Sequence, residues 1–186
     1  MWQQLHRLAG LNLRMHNAGH KRLIIFTRYP VPGKVKTRLI PSLGAEGATA
    51  LHRRLVLRTF RTACQACKTV GAELELRFDG GSEDAMRHWL GDGHRFRHQA
   101  SGNLGERMSE AMEDSFREGS HATIIIGSDC PTLTSAIIIE AFERLEKACV
   151  VLGPAKDGGY YLVGLTRPVP ELFRGIPWST ETVLAD

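Results

Sequence analysis

The run Thr123-Ile124-Ile125-Ile126, closed by Gly127, constrains this chain more than any other feature. Successive strand residues point to opposite faces, so three consecutive isoleucines need an apolar layer on each side of the sheet. A sheet with one wet face is excluded, and helices are required above and below it. The rest of the chain supplies them by alternation. Apolar patterning predicts strands over 23–27, 73–78, 96–99, 123–126, 150–152 and 160–165, and helices over 45–67, 82–90, 103–118 and 134–148. Leu104, Met108, Ala111, Met112, Ser115 and Phe116 share one helix face, and Ile138, Ala141, Leu145 and Ala148 share another. Asn103 followed by Glu106 reads as a capping box. The expected fold is α/β, a single domain with a mainly parallel sheet flanked by helices.

Bulk composition narrows the function classes. The chain has 186 residues, enough for one domain with a substantial core. We expect residues 1–20 to form an N-terminal extension and residues 21–186 the domain. The hydrophobic share of 42% and charged share of 24% are those of a soluble globular protein. No apolar run approaches the ~18 residues of a membrane span, and the first 20 residues lack the apolar core of a secretory signal. A cytoplasmic protein with no membrane partner is expected. Net charge is +4, too small to argue for nucleic acid. Its distribution says more, because Arg7, Arg14, Lys21, Arg22, Arg28, Lys34, Lys36 and Arg38 all precede the first acid, Glu46. Such an end favours an anionic ligand, or is a solvated basic face. Cys64 and Cys67 form a C-x-x-C on a helix face with Ala48, Leu51, Leu55, Phe60 and Ala63. There is no second pair for zinc, and the motif closes its helix instead of opening it, so both read as core residues. Cys130 and Cys149 have no His close by in sequence.

Three segments carry chemistry. Gly127-Ser-Asp-Cys-Pro131 places Asp129 just past the carboxyl end of the central strand, where open α/β sheets bind ligands. A single carboxylate there suits Mg²⁺ or Mn²⁺, which complete their shells with phosphate oxygens and water. The alternative is an Asp capping the next helix. Pro30-Val-Pro-Gly-Lys-Val-Lys-Thr-Arg-Leu39 follows the first strand. Gly33 lets it bend, and Lys34, Lys36 and Arg38 supply cations for phosphate; otherwise it is a solvated loop. It is not a Walker motif. Gly153-Pro-Ala-Lys-Asp-Gly-Gly-Tyr-Tyr161 reads as a hairpin turn that also offers Asp157 to a metal, a sugar hydroxyl or a proton. Tyr160 and Tyr161 must face opposite sides.

Taken in order, PGKVKTRL, NLGERM, GSDCP and GPAKDGGYYLVGL resemble the glycosyltransferase-like bacterial family related to the nucleotide-diphospho-sugar transferases, some members of which belong to arsenosugar-type biosynthetic clusters. The resemblance covers 23–186 and implies a GT-A-type fold. It implies that Gly33, Lys34, Lys36 and Arg38 cradle phosphates, that Gln99, Gly105 and Arg107 border the nucleoside, that Asp129 is the metal-binding acid and that Asp157 faces the transferred group. The implied activity is metal-dependent transfer of a sugar from a nucleotide-diphospho-sugar to a small-molecule acceptor. A nucleotidyltransferase acting on a phosphorylated small molecule, and a non-catalytic nucleotide-binding protein, are the alternatives. Three positions depart from the family pattern: Asn103 and Arg58 stand where members carry Asp, and the chain stops at Asp186, short of a late Asp-x-Asp. We therefore expect a shortened C-terminus whose Ile176, Trp178 and Leu184 are covered by self-association or by Leu5, Leu8, Leu11 and Met15 of the extension.

Overall fold

Strand β1 (Lys21–Arg28) lies in the middle of a six-stranded sheet, because Leu23, Ile24, Ile25 and Phe26 are apolar and buried on both faces, between buried Arg22 and Thr27. A computed structural model describes this sheet and its helices over residues 19–155 and 158–176. The remaining strands are β2 (Ala72–Asp79), β3 (Arg95–His98), β4 (Ala122–Gly127), β5 (Val150–Pro154) and β6 (Tyr160–Leu165). Their order is β3-β2-β1-β4-β6-β5. The first four run parallel, while β6 is antiparallel to both β4 and β5. The expected mainly parallel α/β fold is therefore present, and β5 and β6 form the expected antiparallel pair.

Helices α1 (Ile40–Val70), α2 (Glu83–Leu90) and α4 (Ser135–Leu145) cover one face. Their Ala63, Ala66, Met86, Leu90, Ile138 and Phe142 pack against Leu23, Ile25, Leu76, Phe78, Ile124 and Ile126. Helix α3 (Leu104–Arg117) covers the other face, where Met108, Ala111 and Met112 meet Ile24, Phe26, Ile125, Val163 and Leu165. The alternation of Ile124, Ile125 and Ile126 between the two cores is what the tripeptide demanded. Tyr161 packs with the first core and Tyr160 with the second, on opposite faces as expected.

Several boundaries differ from expectation. Helix α1 begins at Ile40, not at 45, because Pro41 suits a first helical turn. Gly44 breaks it with φ 69, ψ 167, so the regular run does start at Ala45. Its buried stripe is Ala48, Thr49, His52, Val56, Thr59, Ala63, Ala66 and Cys67, and Leu51 and Leu55 are only half-buried. Leu104 is exposed at the mouth of α3, and Ala148 is exposed beyond the end of α4, where Phe142 fills the core instead. Asn103 caps α3 in a full capping box with Glu106, and Arg58 lies exposed on α1. A 3-10 turn over Pro170–Phe173, with no sequence signal of its own, seats Phe173 beside α3. Most of the extension, together with Asp157, Trp178 and Leu184, lies outside the described residues.

The α3 face of β2 and β3 is charged where an apolar face was available. Glu75 and Arg77 are almost fully buried there, and Arg22 of β1 is 1% exposed. Arg22 donates to Glu73 and Glu118, at 3.0 Å and 2.7 Å. Glu75 is approached by Arg77, Arg22 and Arg95. Arg77 and Arg97 are direct cross-strand neighbours, a repulsive pairing, and Asp114 sits between them at 2.9 Å and 3.9 Å. This explains the alternation Glu73-Leu-Glu-Leu-Arg-Phe78: its polar residues face an ion network beneath α3, and much of it is hidden from solvent. At the amino ends of the strands, Ser120 links to Ser115 and to His20, and Ser115 links to Thr123.

Candidate functional site

The chain runs from β1 outward to β2 and, later, to β4 on the opposite side. The connections that follow β1 and β4 therefore diverge, and the crevice between them is the switch point where such sheets bind ligands. The basic loop follows β1 and the Ser128–Asp129 turn follows β4, so both predicted segments flank this crevice. Their side chains meet there: the Lys36 ammonium lies 2.8 Å from Oδ2 of Asp129.

Local structure explains how the loop reaches across. Gly33 has φ 77 and makes a turn in which Lys34 N–H donates to the Val31 carbonyl. Val35 is buried and anchors the loop, leaving Lys34 and Arg38 exposed on either side. Lys36 then adopts φ 49, ψ 40, a left-handed conformation that puts its stem toward Asp129. It is the only non-glycine residue with positive φ among the described residues. Lys34 and Arg38 have no ion-pair partner among the described residues, which leaves two cations available beside the Lys36–Asp129 pair.

Helix α1 holds both loops in place. His52 donates through Nε2 to the Arg28 carbonyl at 3.0 Å, and Thr59 donates to the Ser128 carbonyl at 3.3 Å. Both side chains are buried. They position the site, and the sequence reading passed over them. The signal was present, since polar residues at 49, 52 and 59 interrupt the apolar face of a helix that crosses the sheet.

Gln99 and Arg107 form a second cluster. Gln99 donates its amide to the Thr27 and Arg77 carbonyls, both at 3.0 Å, and accepts from Arg107 at 3.3 Å. It thereby ties the ends of β1 and β2 together, with its two amide hydrogens committed to main chain. Arg107 also approaches Asp79 at 3.8 Å, and Asp79 pairs with Arg28 at 3.2 Å. Asp79 was not anticipated, although it ends a strand before Gly80-Gly81 much as Asp129 does. Gly105 is buried in the first turn of α3 and lines a groove of about 650 Å³ with Asn103, Glu106, Phe173 and Ile176. None of Lys34, Lys36, Arg38 or Asp129 lines that groove. Cys67 is buried, with its thiol pushed up to about 12 by burial and by Cys64, as suits a core residue. Cys64 is partly buried and touches His94 at 3.8 Å.

Sheet order, parallel strands and a basic loop facing an acid across the switch point define a nucleotide-diphospho-sugar transferase-like fold. A crystal structure of a "putative nucleotide-diphospho-sugar transferase" from Desulfovibrio desulfuricans G20 is 32% identical, covering 90% of this chain and 73% of that one with a TM-score of 0.83. Residues 61–180 match the family described as uncharacterized protein conserved in bacteria (DUF2064), and the chain belongs to it. CMP:2-keto-3-deoxy-manno-octonic acid synthetase complexed with CTP is 12% identical over 88% of this chain and 80% of that one, with a TM-score of 0.53. A cytidylyltransferase from Leptospira borgpetersenii is 9% identical over 83% of this chain and 62% of that one, with a TM-score of 0.50. These two share the fold. No curated protein matches the chain. Among the described residues no helix is long and apolar enough to cross a membrane, and no three His, Cys, Asp or Glu side chains form a metal cage.

Proposed function

We propose that this protein transfers a sugar from a nucleotide-diphospho-sugar to a small-molecule acceptor. The observation that carries the reading is the meeting of Lys36 and Asp129 at 2.8 Å across the switch point, with Lys34 and Arg38 exposed beside them. That arrangement offers a diphosphate cations from the β1 loop and offers a divalent cation a carboxylate from the β4 turn. Arg38 suits two phosphate oxygens at once, and Lys34 and Lys36 add point charges. Gln99, Gly105 and Arg107 border the nucleoside in this reading, and Asp157 faces the sugar or its acceptor.

Mg²⁺ or Mn²⁺ belongs to the same proposal. Asp129 is 60% exposed, so one carboxylate edge is open to an ion, and a single hard oxygen ligand fits a cation that takes most of its shell from phosphate and water. Asp129 would hold the ion, which when bound neutralises charge on the departing nucleotide. The protein's own part is to fix the phosphates against the cationic loop and to hold the two loops at a set distance through His52 and Thr59.

The nucleotidyltransferase reading has its own support, because the synthetase and the cytidylyltransferase that share the fold carry such names. One panel separates the two. Nucleoside diphosphate sugars and nucleoside triphosphates are incubated with Mn²⁺ and acceptor mixtures, and the released product is identified. Nucleoside diphosphate released from sugar donors supports sugar transfer, and pyrophosphate released from triphosphates replaces it with nucleotidyl transfer. Tight nucleotide binding with no release from either class would mark a binding protein.

A further inference from the structure

Lys36 is both a phosphate-loop cation and the partner of the acid proposed to hold the metal. We propose that the Lys36–Asp129 pair is an exchangeable stopper: the ammonium occupies the acid while the site is empty, and it moves to phosphate when a divalent cation takes its place. The proposal rests on the nucleotide-diphosphate reading of the site and adds the order in which its charges are satisfied.

Three features carry it. The pair is short, yet Asp129 is 60% exposed and Lys36 21% exposed, so water and ions reach it without any unfolding. Exposed ion pairs are weak, and a stronger competitor for either partner separates them. Lys36 reaches the acid from a left-handed backbone, on a loop whose turn is set by Gly33 and whose underside is fixed by buried Val35. The loop is therefore held still while a flexible four-carbon stem carries the charge. Lys34 and Arg38 flank the pair with no carboxylate partner among the described residues, so an arriving diphosphate meets two unneutralised cations first. The third cation becomes available only when Asp129 releases it.

Linkage makes this measurable. A cation on Asp129 frees Lys36 for phosphate, and phosphate on Lys36 frees Asp129 for the cation, so each ligand removes the other's competitor. Without the stopper, part of that mutual help disappears. The empty site is also kept from binding a divalent ion by itself.

The test is a double-mutant cycle with inorganic pyrophosphate and Mn²⁺ as probes, followed by titration calorimetry. In EDTA, Asp129→Asn should tighten pyrophosphate binding about fivefold by freeing Lys36, within the usual range for coupled sites. In a Lys36→Met background the same Asp129→Asn change should give a clearly smaller gain. With Mn²⁺ alone, Lys36→Met should bind the ion about fivefold more tightly than the unmodified protein. Lys36→Asn is run in parallel, because Asn tolerates the left-handed backbone and separates lost charge from a disturbed loop. An equal gain from Asp129→Asn with and without Lys36 would show only a general field effect and overturn the proposal. So would an unchanged Mn²⁺ affinity in both Lys36 variants. Nucleotides that bind normally while the cycle shows no coupling would sink the stopper alone. Coupling without any nucleotide binding would sink the functional reading and leave the stopper standing.

Discussion

Thr59 and His52 do more for the site than their chemistry suggests. Each is a polar side chain on the buried stripe of α1, and each satisfies a main-chain carbonyl at the carboxyl end of a central strand. Thr59→Val keeps the shape but leaves the Ser128 carbonyl without its donor. We expect a loss of about 1–3 kcal/mol in stability, seen in denaturant melts, since an unmet buried acceptor costs its desolvation. Mn²⁺-dependent nucleotide affinity should fall as well, because Asp129 is the next residue. A melt that shifts while affinity holds would confine Thr59 to a structural role. Arg38 is exposed and makes no ion pair among the described residues, so its removal should act on ligand alone. Arg38→Ala should weaken nucleoside diphosphate binding by about tenfold and nucleoside binding hardly at all, the loss shrinking with added salt. Equal losses for both ligands would contradict the phosphate role.

At the scale of elements, much of the architecture was legible before any coordinates. The isoleucine run demanded a sheet covered on both faces, and the capping box placed the start of α3 to within a residue. Asn103→Ala should therefore cost about 1 kcal/mol in a thermal or urea melt, the usual worth of such a cap. The basic loop and Asp129 were also legible, because each follows a strand and carries residues that a ligand would need. What was not legible is which side chains meet across elements. Gln99 was expected to border a nucleoside, and its amide hydrogens also tie β1 to β2, a use that depends on strand order. The alternating charges of β2 were read only as a strand pattern, with nothing to say that they end up buried beneath α3. Local periodicity reports which residues share a side, and only the packing of α3 decides what covers it. The start of α1 was missed by five residues, since Pro41 is favoured in a first helical turn and Gly44 interrupts the pattern before Ala45.

Across the whole molecule, the ionic layer beneath α3 sets the response to acid. Burial pushes the Glu118 carboxyl up, but hydrogen bonds from Arg22 and Arg97 and the charges of Arg22 and Arg95 outweigh it and bring the value to about 2, below the ordinary 4.5. A carboxylate depressed on folding contributes stability that is fully present above its unfolded value and is lost as pH falls through its folded value. Stability should thus decline between about pH 4.5 and pH 2. Glu118→Gln should flatten that part of a pH series of urea melts, at the cost of lower stability at neutral pH. A pH dependence identical to that of the parent would exclude Glu118 as the responsible group. The same layer also bears on how quickly the chain comes apart. Arg22 finds its carboxylates 51 and 96 residues away, at Glu73 and Glu118, so its charge is compensated only after β2 and α3 have docked on β1. Interactions that form only after the folding barrier leave the forward rate alone, and their loss falls on the reverse rate. In stopped-flow chevrons Glu118→Gln should shift the whole unfolding limb upward with its slope unchanged, while the refolding limb stays in place. The ion network would then act as a latch on the lifetime of the folded chain, with little say in how fast it forms.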